Sequence, residues 1–220
     1  MKTTYEKVSA ALKRRSRTWL VTGAAGFIGS HLVEELIHLK QRVIGMDNFS
    51  TGHKSNLDDV ANRAGSSFKE RFIFIEGDTQ NLDCCRHACS DVDYVLHQAA
   101  LGSVPRSFES PLATHAANVT GYLNMILAAK EAKVRKMVYA SSSSVYGNQK
   151  TLPLNENSKT DQPISFYAAT KKCNEIIAYS FSNIYKLPTT GLRFFTVYGP
   201  YGRPDMSLFK FCKNILENTK

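Results

Sequence analysis

Three groups of residues carry types and spacings with chemical consequences. The first is Val21-Thr22-Gly23-Ala24-Ala25-Gly26-Phe27-Ile28-Gly29. Glycines so spaced allow a tight turn at Gly23, close backbone approach to a pyrophosphate at Gly26 and close helix–strand packing at Gly29. The helix opening there offers free N–H groups and the positive end of its dipole to an anion. A glycine triplet alone is weak, because turn glycines are common; Asp47, 18 residues after Gly29, supplies a carboxylate where ribose hydroxyls are taken. Arg42 lies at the start of the second strand, which Asp47 ends, and not after it, so no obvious cation would neutralise a 2′-phosphate, which favours NAD over NADP. The second group is Tyr167-x-x-x-Lys171, one helical turn apart and on one face. A phenol with a pKa of about 10 is a poor base at neutral pH; a neighbouring ammonium, helped by a nicotinamide cation, favours the phenolate. Alone, that pair is a common accident on helices. The third is Ser141-Ser142-Ser143-Ser144, followed by Val145-Tyr146-Gly147, whose hydroxyls can share a proton with a phenol and a substrate hydroxyl.

Positioning these groups falls to short apolar runs at 18–21, 43–46, 72–75, 94–96, 136–140 and 189–195, which read as buried strands. Helical patterns lie between them at 27–39, 56–64 (weak), 82–89, 114–130 and 167–185, with another at 208–218. Such alternation predicts an α/β fold, a doubly wound parallel sheet of the Rossmann type covered on both faces. It puts the serine run at the carboxyl end of the fifth strand, where ligands bind in such sheets. The expected division is a basic leader at 1–17, an NAD-binding domain carrying the Ser/Tyr/Lys site at 18–200, and the start of an incomplete substrate domain at 201–220.

Composition narrows the classes. The 220 residues are 43% hydrophobic and 21% charged, which places the chain among globular proteins rather than disordered ones. No apolar run reaches the ~18 residues of a membrane span, and the amino terminus lacks the apolar core of a secretory signal. Five cysteines without framework spacing argue against a disulfide scaffold and for a reducing, cytoplasmic compartment. The net charge of +9 suits a nucleic-acid binder, but the basic residues are scattered apart from Lys13, Arg14, Arg15 and Arg17. With no recognition motif, a solvated surface that gathers an anionic nucleotide accounts for it better. Cys84, Cys85 and Cys89 share one helical pattern without zinc spacing, so no metal site is expected.

The Gly-x-x-Gly-x-x-Gly spacing together with Tyr167-x-x-x-Lys171 resembles the extended short-chain dehydrogenase/reductase superfamily. Within it, the chain from Trp19 to Lys220 is similar to NAD-dependent nucleotide-sugar epimerases. The resemblance implies NAD contacts at Gly23, Gly26, Phe27, Ile28, Gly29, Asp47, Asn48, Ser50, Thr51, Gly52, Asp78, Thr79, Gln98, Ala99, Ala100, Asn118, Tyr167, Lys171 and Phe195. Thr79 stands where Ile or Leu is usual. Asp78 meets an adenine edge in this reading; read plainly, it caps the helix at 82–89. Asn118 would support a proton network, or be a helix amide satisfied by backbone. His97 reads as a satisfied strand-end histidine. The catalytic set implied is Tyr167 as base, Lys171 to lower its pKa and anchor the nicotinamide ribose, and Ser142 as proton relay; the four serines leave that register open by one.

The serine loop lacks the Asp-Glu pair of sugar 4,6-dehydratases and the Glu of UDP-xylose synthases, which favours epimerisation of a UDP-sugar at C4. Asp47-Asn48-Phe49-Ser50-Thr51-Gly52-His53 and Leu101-Gly102-Ser103-Val104-Pro105-Arg106-Ser107 look like UDP-N-acetylglucosamine or UDP-N-acetylglucosaminuronate 4-epimerases, with Gly102 and Ser103 lining space for an N-acetyl group. Leu192-Arg193-Phe194-Phe195-Thr196-Val197-Tyr198-Gly199-Pro200 and Gly202-Arg203-Pro204-Asp205-Met206 are similar to UDP-glucuronate 4-epimerases. There Thr196 replaces the usual Asn, and Arg203 would meet a C6 carboxylate, or else bond loop backbone. Ser142, Ser143 and Ser144 complete the expected substrate contacts. Relatives continue past Lys220 into a small domain that closes over the sugar, so the rival expectation is an NAD-binding scaffold without turnover. A homodimer through a bundle of the helices at 114–130 and 167–185 is expected.

Overall fold

A computed structural model describes residues 3–204 and 206–218. Asp205 of the Gly202–Met206 motif, the first two residues of the leader and the last two of the chain lie outside them. The elements run α1 (Thr4–Arg14), β1 (Thr18–Thr22), α2 (Phe27–His38), β2 (Arg42–Asp47), α3 (Lys54–Ala64), α4 (Ser66–Arg71), β3 (Phe72–Glu76), α5 (Leu82–Ala88), β4 (Tyr94–His97), α6 (Val104–Glu109), α7 (Pro111–His115), a π-helical turn (Ala116–Thr120), α8 (Gly121–Glu131), β5 (Lys136–Ser142), a 3-10 turn (Ser143–Tyr146), α9 (Phe166–Tyr185), β6 (Thr189–Phe194) and α10 (Ser207–Leu216). All six strands pair in parallel in the order β3-β2-β1-β4-β5-β6. The strand order reverses between β1 and β4, which opens a crevice at their carboxyl ends.

Alternation along β1 shows why both faces are covered. Leu20 enters a core with Met46, Val95, Tyr122, Met125 and Met137 under α5, α8 and α9. Its neighbour Val21 enters the opposite core with Val33, Ile37, Val43 and Val60 under α2 and α3. Each such fully buried side chain contributes roughly 1.5–3 kcal/mol.

The leader holds a helix that the sequence reading does not anticipate. Thr3 and Glu6 form a reciprocal capping box at its start, and fully buried Gln41 ties its end to the sheet. The Gln41 amide donates to Leu12 O (2.9 Å) and Leu39 O (2.7 Å), and its oxygen accepts from Arg17 N (3.0 Å) and Trp19 Nε1 (3.2 Å). The pattern at 114–130 is likewise not one α-helix: the π-helical turn interrupts it around Asn118. At 82–89 the cap is Asn81, whose side chain accepts from Asp83 N and Cys84 N, so Asp78 does not cap that helix. Among the described residues no helix is long and apolar enough to cross a membrane, and no cluster of potential metal ligands occurs. Burial pushes the thiols of Cys85 and Cys89 up to about 12.

Candidate active site

The carboxyl ends of the strands open into a cleft of about 1120 Å³. Its floor at β1 is backbone. Gly23 adopts φ +67° and Gly26 N donates to Gly23 O at 3.0 Å. A Cβ on Gly29 would lie 1.9 Å from Gly23 O, so the turn and the start of α2 touch without room for a side chain. Asn56 of α3 pins the loop from below by donating to Ala25 O (2.8 Å). Asp47 pins it from the side: one carboxylate oxygen accepts from Ala25 N (2.9 Å), the other from Phe49 N (2.8 Å). Burial raises the Asp47 carboxyl above its ordinary value, and those amide bonds oppose the rise. Each oxygen keeps a lone pair for a further donor.

Next to Asp47, Asn48 Nδ2 donates to Asp78 Oδ2 (2.8 Å) and Gln80 N to Asp78 Oδ1 (2.8 Å). Gln98 Oε1, in the cleft wall, is buried without a partner. A glycine-lined helix start, a carboxylate with spare lone pairs and an orphaned amide oxygen together fit a dinucleotide such as NAD.

The other end of the cleft is made of side chains. Lys171 is fully buried on α9, its Nζ donating to Ala140 O (3.0 Å) and lying 5.9 Å from the centroid of the Tyr167 ring. Burial pushes its ammonium down to about 8. The expectation that Lys171 depresses Tyr167 is not what the polypeptide shows. Burial raises the Tyr167 phenol above its ordinary value, and the opposing pulls come from a Ser142 hydrogen bond and the charge of Arg203. Arg203 Nη1 sits 3.5 Å from where a Cβ on Gly102 would be, beside the phenol.

Of the expected residues, Gly23, Gly26, Phe27, Ile28, Gly29, Asp47, Asn48, Ser50, Thr51, Gly52, Asp78, Thr79, Gln98, Ala99, Ala100, Gly102, Ser142, Ser143, Ser144, Tyr167, Lys171, Phe195, Thr196 and Arg203 line this one cleft. Ser103 lines an adjoining pocket of about 260 Å³ with Gly102, Tyr167 and Arg203, and its hydroxyl accepts from Arg106 N (3.3 Å) at the start of α6. Asn118 stands behind the wall: it accepts from Leu101 N (2.7 Å) and donates to Leu101 O (3.1 Å) and Thr170 Oγ1 (3.2 Å). That is the amide satisfied mostly by backbone, and it fixes the Leu101 loop. His97 is buried, bonded to Thr22 Oγ1 at 2.8 Å.

The sequence reading missed Asn56, Tyr201, Glu175 and the partner role of Arg193. Tyr201, in the loop before Arg203, accepts from Arg63 Nη1 (2.7 Å) and so ties that loop to α3. Glu175 left a signal, since Tyr167, Lys171 and Glu175 repeat every four residues on one helical face.

Comparison with known proteins agrees with this architecture. Protein CapI of Staphylococcus aureus is 43% identical over 201 residues, 90% of this chain and 60% of that protein. UDP-glucuronate 4-epimerase 4 of Arabidopsis thaliana is 43% identical over 205 residues, 91% of this chain and 46% of the relative. A solved UDP-N-acetylglucosamine 4-epimerase from Methanobrevibacter ruminantium, in complex with UDP-N-acetylmuramic acid, superposes with a TM-score of 0.84 at 34% identity, covering 94% of this chain and 64% of that one. A Bacillus cereus UDP-glucuronic acid 4-epimerase solved with UDP-glucuronic acid and NAD gives a TM-score of 0.78 at 33% identity, covering 92% and 64%. The chain thus spans between 46% and 64% of the length of these relatives. Residues 19–220 match the NAD dependent epimerase/dehydratase family, and the chain belongs to it.

Proposed function

We propose that the chain carries the NAD site and the reacting residues of a UDP-sugar 4-epimerase, an isomerase that interconverts UDP-glucuronate and UDP-galacturonate for polysaccharide precursors. The observation that carries this reading is that Tyr167, Ser142 and Arg203 meet at one end of a cleft whose other end is the glycine turn. Residues 18–200 act as the cofactor domain and 201–220 begin the part that meets the sugar. Asp47 holds the adenosine ribose, the α2 start the pyrophosphate, and Tyr167 with Lys171 the nicotinamide ribose. Bound NAD supplies a hydride acceptor, and later donor, at C4 of the sugar. Tyr167 Oη takes the proton of the 4-hydroxyl and later returns it, so no net redox change results. Ser142 relays that proton through its bond to the phenol, and Arg203 orients the C6 carboxylate with Ser143, Ser144 and Thr196 around the ring.

A second sugar has its own support. Gly102 and Ser103 line the small pocket beside Tyr167, room suited to an N-acetyl group, which makes UDP-N-acetylglucosamine or its uronate the alternative. A third reading, from another class, is an NAD-binding scaffold without turnover. Leu123, Ile176, Tyr179 and Ile184 are exposed on α8 and α9, which supports a homodimer packed through these helices; the compartment proposed for it is the cytoplasm.

Nucleotide released from the denatured chain, identified by mass, followed by a panel of UDP-glucuronate and UDP-N-acetylglucosamine, tests all three. NAD with turnover of the uronate supports the main reading. NADP would overturn the role given to Asp47. NAD with no turnover of either sugar would leave the scaffold standing. A monomer mass in light scattering would remove the dimer.

A further inference from the structure

We infer that Glu175, clamped by Arg193, is a positioning residue that selects which serine serves Tyr167. Three consecutive residues at the end of β5 are each held by one residue of a single α9 face. Ala140 O accepts from Lys171 Nζ (3.0 Å), Ser141 Oγ donates to Glu175 Oε1 (2.6 Å), and Ser142 shares the cleft with Tyr167, whose phenol it pulls downward. Glu175 is itself gripped bidentately, with Arg193 Nε 2.8 Å from Oε1 and Nη2 3.0 Å from Oε2. Arg193 lies directly across from Ser141 in the β5–β6 register, and its guanidinium covers the Tyr146 ring at 4.9 Å.

The pair therefore joins α9, β5 and β6 behind the reacting hydroxyls. Burial works to raise the Glu175 carboxyl, but the bonds from Arg193 and Ser141 prevail and hold it below the ordinary range. It thus stays a charged acceptor at neutral pH. With Ser141 committed to that acceptor, Ser142, the last residue of β5, is left to serve the phenol. Ser142 Oγ in turn accepts from Ser144 N (3.1 Å) and donates to Ser144 Oγ (3.1 Å), which holds Ser144 against Ser142 and out of the same place. The pair bonds Ser141 rather than Tyr167 or the glycine turn, so its effect passes through the serine backbone.

The test reads Tyr167 alone. Ultraviolet titration of each protein minus its Tyr167→Phe counterpart isolates that phenolate from the other tyrosines, of which the chain has ten in all. The charged groups facing the phenol are Lys171 on its own helix and Arg203 in the loop; both are retained in every variant. Ser141→Ala removes only the serine's link and leaves the ion pair intact. Losing the Ser142 bond is expected to raise the Tyr167 midpoint by about one unit, and Ser141→Thr, which restores the hydroxyl, returns it. Glu175→Gln with Arg193→Met, which removes both charges together, should give the same rise.

A midpoint unchanged in Ser141→Ala, in a variant that melts with the parent, overturns the positioning role and leaves Glu175 a structural staple. The role in catalysis rests on the epimerase reading. There the same variants should lower kcat about tenfold with KM within about twofold. Absence of UDP-sugar turnover in the parent overturns the epimerase reading alone, because the phenol titration still decides the positioning role.

Discussion

At the β1–α2 turn the cleft wall is main chain: Gly23 and Gly29 admit no side chain, Gly26 leaves only a tight fit, and the carboxylate of Asp47 fastens the loop through amide hydrogens. At the β5–α9 end the wall is side chains from three elements, with Lys171 fully buried and a Glu–Arg pair behind the serines. The first end depends on shape and is intolerant of volume. The second depends on charge and hydrogen bonding, and stores unfavourable burial in its ionisable groups. Variation at the first end should therefore act on folding and nucleotide retention together, and variation at the second on turnover and pH response with the fold intact.

Gly29→Ala is expected to have the largest effect. A Cβ 1.9 Å from a carbonyl oxygen cannot be absorbed by rotating a side chain, and the loss should exceed about 4 kcal/mol. Gly26→Ala, whose Cβ would meet Gly23 O at 3.1 Å, should fold but release less nucleotide. Thermal melts and nucleotide content of the two proteins check this; a stable Gly29→Ala chain with parental nucleotide would break the comparison at its first end. Tyr167→Phe comes next. It should keep melting temperature and nucleotide while turnover falls by a factor of about 10²–10⁴. Epimerase activity that survives it unaltered would remove the mechanism.

The same contrast explains what could be read without coordinates. All six strands and the glycine turn are legible because their causes are local: short apolar runs, and glycines that only a tight turn requires. α4, with sequence SSFKER, has no apolar stripe to mark it, and α6 begins Val104-Pro105 and is capped by Ser103, which the eye takes for a loop. The π-helical turn coincides with a tertiary clamp, Asn118 gripping the Leu101 backbone, 17 residues away. Tyr167 and Lys171 are legible as a helical spacing, yet the direction of the Tyr167 shift is not, since burial decides it. The partners of Glu175 lie 18 and 34 residues away in the chain, so nothing local pairs them.

His97 sits between the two ends, on β4, and its response to acid tests whether burial there is as complete as the geometry implies. Burial, with the charge of Lys171 adding to it, lowers its imidazole to about 3. Between the unfolded value of about 6.5 and that folded value, the unfolded chain binds a proton that the folded chain refuses, so stability falls as pH falls. Urea unfolding at pH 7 and 4.5 should show the parent losing about 2–3 kcal/mol more than His97→Gln over that interval. Equal losses would mean that His97 is hydrated in solution.

Lys171 gives the opposite arm and the smallest effect. Its folded value of about 8 lies below the unfolded value of about 10.4. Below pH 8 the ammonium is charged in both states, and the folded chain bears the full cost of burying it. As pH rises from 8 toward 10.4 the folded chain sheds its proton first, and stability climbs. Lys171→Met removes that cost, so at pH 7 the variant should be more stable than the parent by about 1–2 kcal/mol despite losing the bond to Ala140 O. The advantage should shrink by about 2 kcal/mol between pH 7.5 and 9.5. A variant less stable than the parent at pH 7, with no narrowing at high pH, would mean that the ammonium is solvated or compensated at this end. The second end would then resemble the first, a place held by packing rather than by buried charge.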